Sequence, residues 1–327
     1  MLKSASKITI NTGNVLNLID IKKKAGQNVT EELSESIKLT LSEWGTQNGP
    51  TQNGISKHEV SEQSSDYMVV STTKDAVINI TRPHDDAHNK MAEEERKNLK
   101  IGVKIFINED SESSLTECLE NVFAALRADR IDNVILAYNP DVPPRDDTQD
   151  DVNGKGANNR VASATQQATP TLMWYVSGRV SSEEADSEAD ARKCEAILPG
   201  IKVLWAVLEK YEQEGRVQQL GVADVGGGCL RRLHAWARVK PTIAQIGLAS
   251  CCVVPPALHA FCRANDVQLL THADPPDLLS VAAVKTLSDA GVIGARLDWC
   301  ARYQVHIKCR GVLALKGYVC KATVKND

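Results

Sequence analysis

Apolar runs of five to nine residues alternate with amphipathic stretches along the second two-thirds of this chain, which predicts an α/β fold on a parallel sheet. The runs are apolar almost throughout rather than at every second residue, as in strands covered on both faces. Each is followed by a segment with helical spacing, the order that brings successive strands side by side in parallel. Setting aside two low-complexity stretches leaves roughly 250 residues, the size of an eight-stranded parallel barrel. On pattern alone a closed barrel and an open doubly wound sheet are both compatible with this reading.

The elements follow in order. Residues 100–108 (KIGVKIFIN) read as a strand, and residues 115–128 place Leu115, Leu119, Val122, Phe123 and Leu126 at helical spacing. Residues 132–137 (DNVILA) are the next strand. A helix over 203–214 is stopped by Gly215, and a strand over 218–225 ends in Gly226, Gly227 and Gly228. That triplet lacks the spacing of a phosphate-binding loop and reads as a flexible turn. A helix at 229–237, a strand at 243–249, a helix at 256–264 with Pro256 in its first turn, and a strand at 267–271 complete the alternation.

Two stretches break it. Residues 45–66 are dominated by Gly, Asn, Gln and Ser, and residues 141–190 carry PPRDDTQDDVNGKGANN and SSEEADSEAD. Neither buries enough apolar surface to offset chain entropy, so both read as flexible insertions in a single domain spanning residues 1–327. The acidic runs read as solvated loop.

Composition excludes several classes. The 38 Lys and Arg against 42 Asp and Glu give a net charge of -4, which argues against nucleic acid as the principal partner and against a polybasic membrane tether. The first twenty residues lack the apolar core of a signal peptide, and no stretch approaches a membrane span, so the expected compartment is the cytoplasm. Nine cysteines without a C-x-x-C pair indicate neither a disulfide framework nor a zinc site. Adjacent Cys251 and Cys252 are the redox candidates, as a buried pair or as an exposed thiol open to an intersubunit disulfide.

Residues 204–252 resemble the aldo-keto reductases. That family's pattern of Gly-Lys-Val, Ile-Gly-Val-Ser-Asn-Phe, Leu-x-x-Leu, Lys-Pro and a strand Gln is met here by Gly215-Arg216-Val217, Leu220 to Val225, Leu230 to Leu233, Lys240-Pro241 and Gln245. NTGNVLN at 11–17, VKPTIAQIGLASCCVVPPAL at 239–258, DVQLLTHADPPDLL at 266–279 and IKCRGVLALKGY at 307–318 resemble one branch of it, the regulatory (modifier) subunits of glutamate–cysteine ligase. The resemblance implies a (β/α)8 barrel of the aldo-keto reductase kind. It further implies a non-catalytic subunit that forms a heterodimer with the ligase's catalytic subunit, improves glutamate use and relieves glutathione feedback in glutathione biosynthesis.

Carried over residue by residue, the resemblance leaves the reductase site mostly empty. Lys104 matches the strand-end lysine of catalysis, whereas the histidine's place falls on Ala137 or Tyr138. Asp20 aligns with the family's aspartate, but Ala25 stands where the proton-donating tyrosine belongs. Ala223-Asp224 replaces the Ser-Asn that grips a nicotinamide, Gln245 is kept, and His272 takes about the place of the stacking aromatic. Lys308 and Arg310 resemble the start of the motif holding the 2′-phosphate of NADPH, with Ala314 where its later arginine would be.

The expectation is therefore no catalytic residue, no metal, and no cofactor beyond weak NADPH binding by a vestigial pocket of Lys104, Gln245, His272, Lys308 and Arg310. Plainer readings make Lys104 a solvated strand-end lysine, His272 a loop histidine bonded to backbone, and Lys308 and Arg310 the lining of a barrel mouth. The competing function is an NADPH-dependent carbonyl reductase using Tyr138, or a dinucleotide sensor. Trp236 and Trp299 are candidates for a docking face.

Overall fold

The computed structural model describes residues 6–18, 29–48, 77–83, 85–140, 188–247, 254–275, 278–279, 281–289, 292 and 294–324. All belong to one compact unit formed by Met1–Pro140 and Asp186–Asp327, with Asp141–Ala185 as a second. The strands are β1 (Lys7–Asn11), β2 (Val77–Thr81), β3 (Leu99–Ile107), β4 (Ile131–Tyr138), β5 (Val217–Ala223), β6 (Ile243–Gly247), β7 (Gln268–His272), β8 (Ala295–Ile307) and β9 (Val312–Val324). The helices are α1 (Val29–Asn48), α2 (Ala87–Ala92), α3 (Glu112–Leu126), α4 (Glu188–Gln213), α5 (Gly227–Trp236), α6 (Pro256–Ala264) and α7 (Val281–Asp289).

The strands join one sheet in the order β2-β1-β9-β8-β3-β4-β5-β6-β7. From β3 to β7 every neighbour is parallel, and a helix separates each strand from the next in sequence. The expected alternation ends there. β8 runs antiparallel to both β3 and β9, and β9 antiparallel to β1, so a hairpin links the N-terminal strands to the parallel block. Polar residues such as Arg296, Asp298, Arg302 and Gln304 interrupt β8, which hides it from a search for continuous apolar runs. Its turn is made possible by Gly311 at φ +62°.

Both faces of the sheet are covered. Ile101, Val103, Ile105 and Ile107 of β3 point to the side packed by α3, α4, α5 and α6, where Leu119, Trp205, Leu208, Leu230 and Leu258 are buried. Phe106, Cys300, Tyr318 and Cys320 share the other side with Leu33, Ile37 and Leu41 of α1 and Leu287 of α7. Cys300 and Cys320 face each other across the β8–β9 ladder with their sulfurs 3.0 Å apart. Trp205 is fully buried and its indole N–H donates to the Val239 carbonyl at 3.0 Å, fixing α4 against the entry to β6.

Two expected boundaries move. Residues 45–48, assigned to the first insertion, continue α1, and α4 begins at Glu188, inside the second and well upstream of the helix expected at 203. The charged first turns of α4 and its internal Pro199 obscure the helical period there. The rest of both insertions lies outside the described residues. Gly226 is the N-cap of α5 and Gly227 and Gly228 form its first turn, so the triplet opens a helix. Trp299 is fully buried and offers no docking surface.

Candidate functional site

Side chains alternate along β3, so Lys104 and Phe106 emerge on the same face of the sheet. Lys104 stands directly opposite Arg302 of β8, and the chain leaving β7 sets Asp274 between the two cations. Asp274 Oδ2 accepts from Lys104 Nζ at 2.8 Å and from Arg302 Nη2 at 2.9 Å, while Oδ1 accepts from Arg302 Nη1 at 2.5 Å. Only 4 % of the Lys104 side chain and 4 % of that of Asp274 is exposed. Both cations also flank the Phe106 ring, Lys104 Nζ at 5.3 Å and Arg302 Cζ at 5.7 Å from its centroid.

The electrostatics follow from this enclosure. Burial pulls the Lys104 ammonium below the usual lysine range, and Asp274 opposes that pull. Burial alone would raise the Asp274 carboxyl, but the bidentate hydrogen bonds and charge of Arg302, with those of Lys104, hold it well below the usual carboxylate range. The reading of Lys104 as a solvated lysine is thus corrected: its strand face is covered, and a buried carboxylate satisfies it.

A second chain of hydrogen bonds leads outward. His272 Nδ1 accepts from the Asp274 backbone N–H at 3.1 Å, so Nε2 carries the proton and donates to Asp224 Oδ1 at 2.9 Å. Asp224 sits after β5 with φ +59°, 45 % of its side chain exposed, and also accepts from the Gly247 N–H at 3.0 Å. The carboxyl ends of β5, β6 and β7 are thereby tied to β3 and β8. Gln245 lies in β6, with its Oε1 buried and without a hydrogen-bond partner among the described residues.

Other expected residues fall elsewhere. Lys308 and Arg310 occupy the β8–β9 turn beyond the Leu99–Ile307 pair, at the amino end of β3. There Lys308 Nζ donates to the Lys97 carbonyl at 3.0 Å and Arg310 pairs with Glu94 at 2.6 Å. The sheet length separates them from Lys104 and His272, so these five residues do not form one pocket. Of the two places for the family's histidine, Ala137 pairs with Phe106 and shares its face, whereas Tyr138 pairs with Ile107 and packs on the opposite face. Asp20, Ala25, Cys251 and Cys252 lie outside the described residues.

No phenol donates to the Lys104 cluster among the described residues. Tyr318 stands opposite Arg302, but its hydroxyl donates to Glu32 Oε1 at 2.5 Å, and burial together with Glu32 pushes its pKa well up. Burial and Asp110 also raise Tyr138. The geometry can lock loops to the sheet, and among the described residues it places no acid for a bound carbonyl. Sequence reasoning missed Asp274 and Arg302. An acid two residues after a strand and just before Pro275 was the available signal for Asp274, whereas Arg302 is one of several polar residues in β8 and carried none.

The thiols offer a direct check on this packing. Of the described cysteines, Cys118, Cys194, Cys229, Cys262, Cys300 and Cys320 are buried and Cys309 is exposed in the β8–β9 turn. Iodoacetamide treatment of the native chain followed by peptide mass spectrometry is expected to label Cys309 within minutes and to spare those six until denaturant is added. Native labelling of Cys300 or Cys320 would contradict the packing of β8 against β9.

Fold and site together define an α/β protein of aldo-keto reductase type whose strand-end lysine is sealed by an internal carboxylate and an arginine. The chain belongs to the aldo/keto reductase family, whose model matches residues 85–273, more than half of its length. It is similar to the glutamate–cysteine ligase regulatory subunit of Rattus norvegicus, with 29% identity over 333 residues covering 100% of this chain and 96% of that protein. The glutamate–cysteine ligase regulatory subunit of Homo sapiens is 29% identical over 328 residues, covering 98% of this chain and 94% of that protein. Among solved structures, aldose reductase from Giardia lamblia aligns with a TM-score of 0.33 and 16% identity over 56% of this chain and 48% of its own. No described helix is long and apolar enough to cross a membrane.

Proposed function

We propose that this chain is a regulatory subunit of glutamate–cysteine ligase, acting in glutathione biosynthesis by binding the catalytic subunit as a heterodimer. In this reading it improves glutamate use, relieves feedback inhibition by glutathione and carries out no reduction itself. Full-length similarity to regulatory subunits supports the role. The observation that supports a non-catalytic role is the Lys104–Asp274–Arg302 triad, in which Lys104 is spent on a buried ion pair and no phenol among the described residues donates to it.

The nicotinamide dinucleotide that the family implies does not fit the residues present. Lys104 is already held by Asp274, Asp224 would offer a carboxylate where the family's Ser-Asn grips a nicotinamide, and Lys308 and Arg310, engaged with Lys97 and Glu94, would not join these residues on a 2′-phosphate. The orphaned Gln245 Oε1 is the one feature in its favour. A reductase using Tyr138 is disfavoured by the orientation of that side chain away from the Lys104 face.

Regulation requires only that the subunit bind one conformation of its partner more tightly than another. A tenfold change in apparent glutamate affinity corresponds to about 1.4 kcal/mol of differential binding, a small part of what an ordinary interface provides. Ligase assays with and without this chain are expected to show a severalfold lower apparent KM for glutamate and weaker inhibition by glutathione. NADPH with a reactive aldehyde is expected to give no oxidation, in the wild type or in Tyr138→Phe. Unchanged ligase kinetics, or aldehyde-dependent oxidation lost in Tyr138→Phe, would overturn the proposal.

A further inference from the structure

From residue 225 to residue 265 the chain carries five basic residues, Arg231, Arg232, Arg238, Lys240 and Arg263, and no Asp or Glu, although its overall charge is -4. Within it α5 and α6 pack on the same side of the sheet and flank β6 in sequence. Trp236, at the end of α5, is 44 % exposed and is the one exposed large aromatic among the described residues. Arg232 lies one helical turn before it on the same face, and Lys202 of α4 sets its Nζ 5.1 Å from the indole centroid. Arg238, 72 % exposed, and the exposed Lys240 follow directly after the helix.

Side-chain contacts tie this surface to its neighbours. His234 meets the Phe261 ring edge-on at 5.5 Å, holding α5 to α6. The buried Glu209 carboxylate accepts from the backbone N–H groups of Arg238 and Val239 at 2.7 and 3.0 Å and from Arg238 Nε at 3.1 Å, fixing the turn after α5. A prepositioned tryptophan costs little ordering entropy on association, and tryptophan and arginine dominate interface hot spots. Lys202 and Arg232 flank the indole, with Glu195 of α4 acting on Arg232 and Glu209 pairing Arg238, and the remaining basic surplus favours a partner of opposite sign.

We infer that the α5–α6 face is where the catalytic subunit docks, through a carboxylate-rich surface with a recess for the Trp236 indole. This rests on the regulatory reading above and adds to it the face and the chemistry of its partner. The apolar residue Val312, 51 % exposed in β9, lies outside this face and serves as the control.

The test is calorimetric titration of the full-length chain into purified catalytic subunit at low and moderate salt. Trp236→Ala is expected to weaken binding roughly thirtyfold, in the range of hot-spot truncations. Arg232→Glu combined with Arg263→Glu is expected to weaken it and to flatten its salt dependence. Val312→Ala should bind as the wild type, and circular dichroism should show all variants folded. Wild-type affinity in both face variants would overturn this inference and leave the regulatory reading intact. Failure of the wild type to bind the subunit at all would overturn both. Variants that keep the subunit but lose binding to duplex DNA would assign the face to nucleic acid and overturn the inference.

Discussion

Asp274→Ala is expected to destabilise the folded chain by about 3–5 kcal/mol, because it strands two cations in a place where only their shared carboxylate makes them tolerable. Lys104 and Arg302 are opposite one another on adjacent strands and both rest on that one side chain. Without it, two positive charges face each other beside the Phe106 ring, cut off from water. Thermal denaturation should show a midpoint lower by roughly 10 °C for a domain of this size. Replacing all three groups at once, with Lys104→Met, Asp274→Leu and Arg302→Met, should recover most of the loss, since apolar groups of similar volume need no compensation.

Acid makes the same point without mutation. The folded chain holds the Asp274 carboxyl below its ordinary range, so the unfolded chain binds the proton more readily. The stability this contributes is complete above about pH 4 and is lost as pH falls through the lower folded value. Denaturant midpoints between pH 5 and pH 2 should fall more steeply for the wild type than for the triple variant. Equal slopes, or an Asp274→Ala variant within 1 kcal/mol of the wild type, would show the triad to be energetically idle.

Gly317→Ala should be equally severe for a steric reason. Gly317 pairs with Tyr303 across the β8–β9 ladder, and a β-carbon there would run into the Gly13 carbonyl oxygen and the Tyr303 hydroxyl. Tyr303 is 1 % exposed and has nowhere to swing, and the Gly13 oxygen belongs to the backbone. A loss of at least about 3 kcal/mol, or no soluble chain, is expected. Tyr303→Phe should not rescue it, because the Gly13 carbonyl remains. Gly45→Ala is the contrasting case: nothing lies within 4 Å of the added methyl in α1, and a gain of about 0.5–1 kcal/mol is expected. Denaturant titration of the pair separates steric exclusion from a general dislike of alanine.

The parallel block was legible in the sequence because its strands are apolar on both faces; residues 100–108 and β3 differ by one residue at each end, and α6 matches its expected bounds. The β8–β9 hairpin was not, since its strands mix arginines and acids into the alternation and their partners are fixed by tertiary contact. At the site, Lys104 and His272 could be picked out as single residues. What each touches could not, because Asp274 and Arg302 lie 170 and 198 positions further along than Lys104, and only folding makes them neighbours.

The hairpin also bears on biosynthesis. β1 has no ladder with β3; it is bonded to β9, whose Tyr318 reaches Thr12 across a separation of 306 residues. A chain leaving the ribosome must keep this edge of β1 unpaired until β9, 306 residues beyond Thr12 at Tyr318, has been translated. Such late closure favours slow maturation and a window in which chaperones hold the nascent edge.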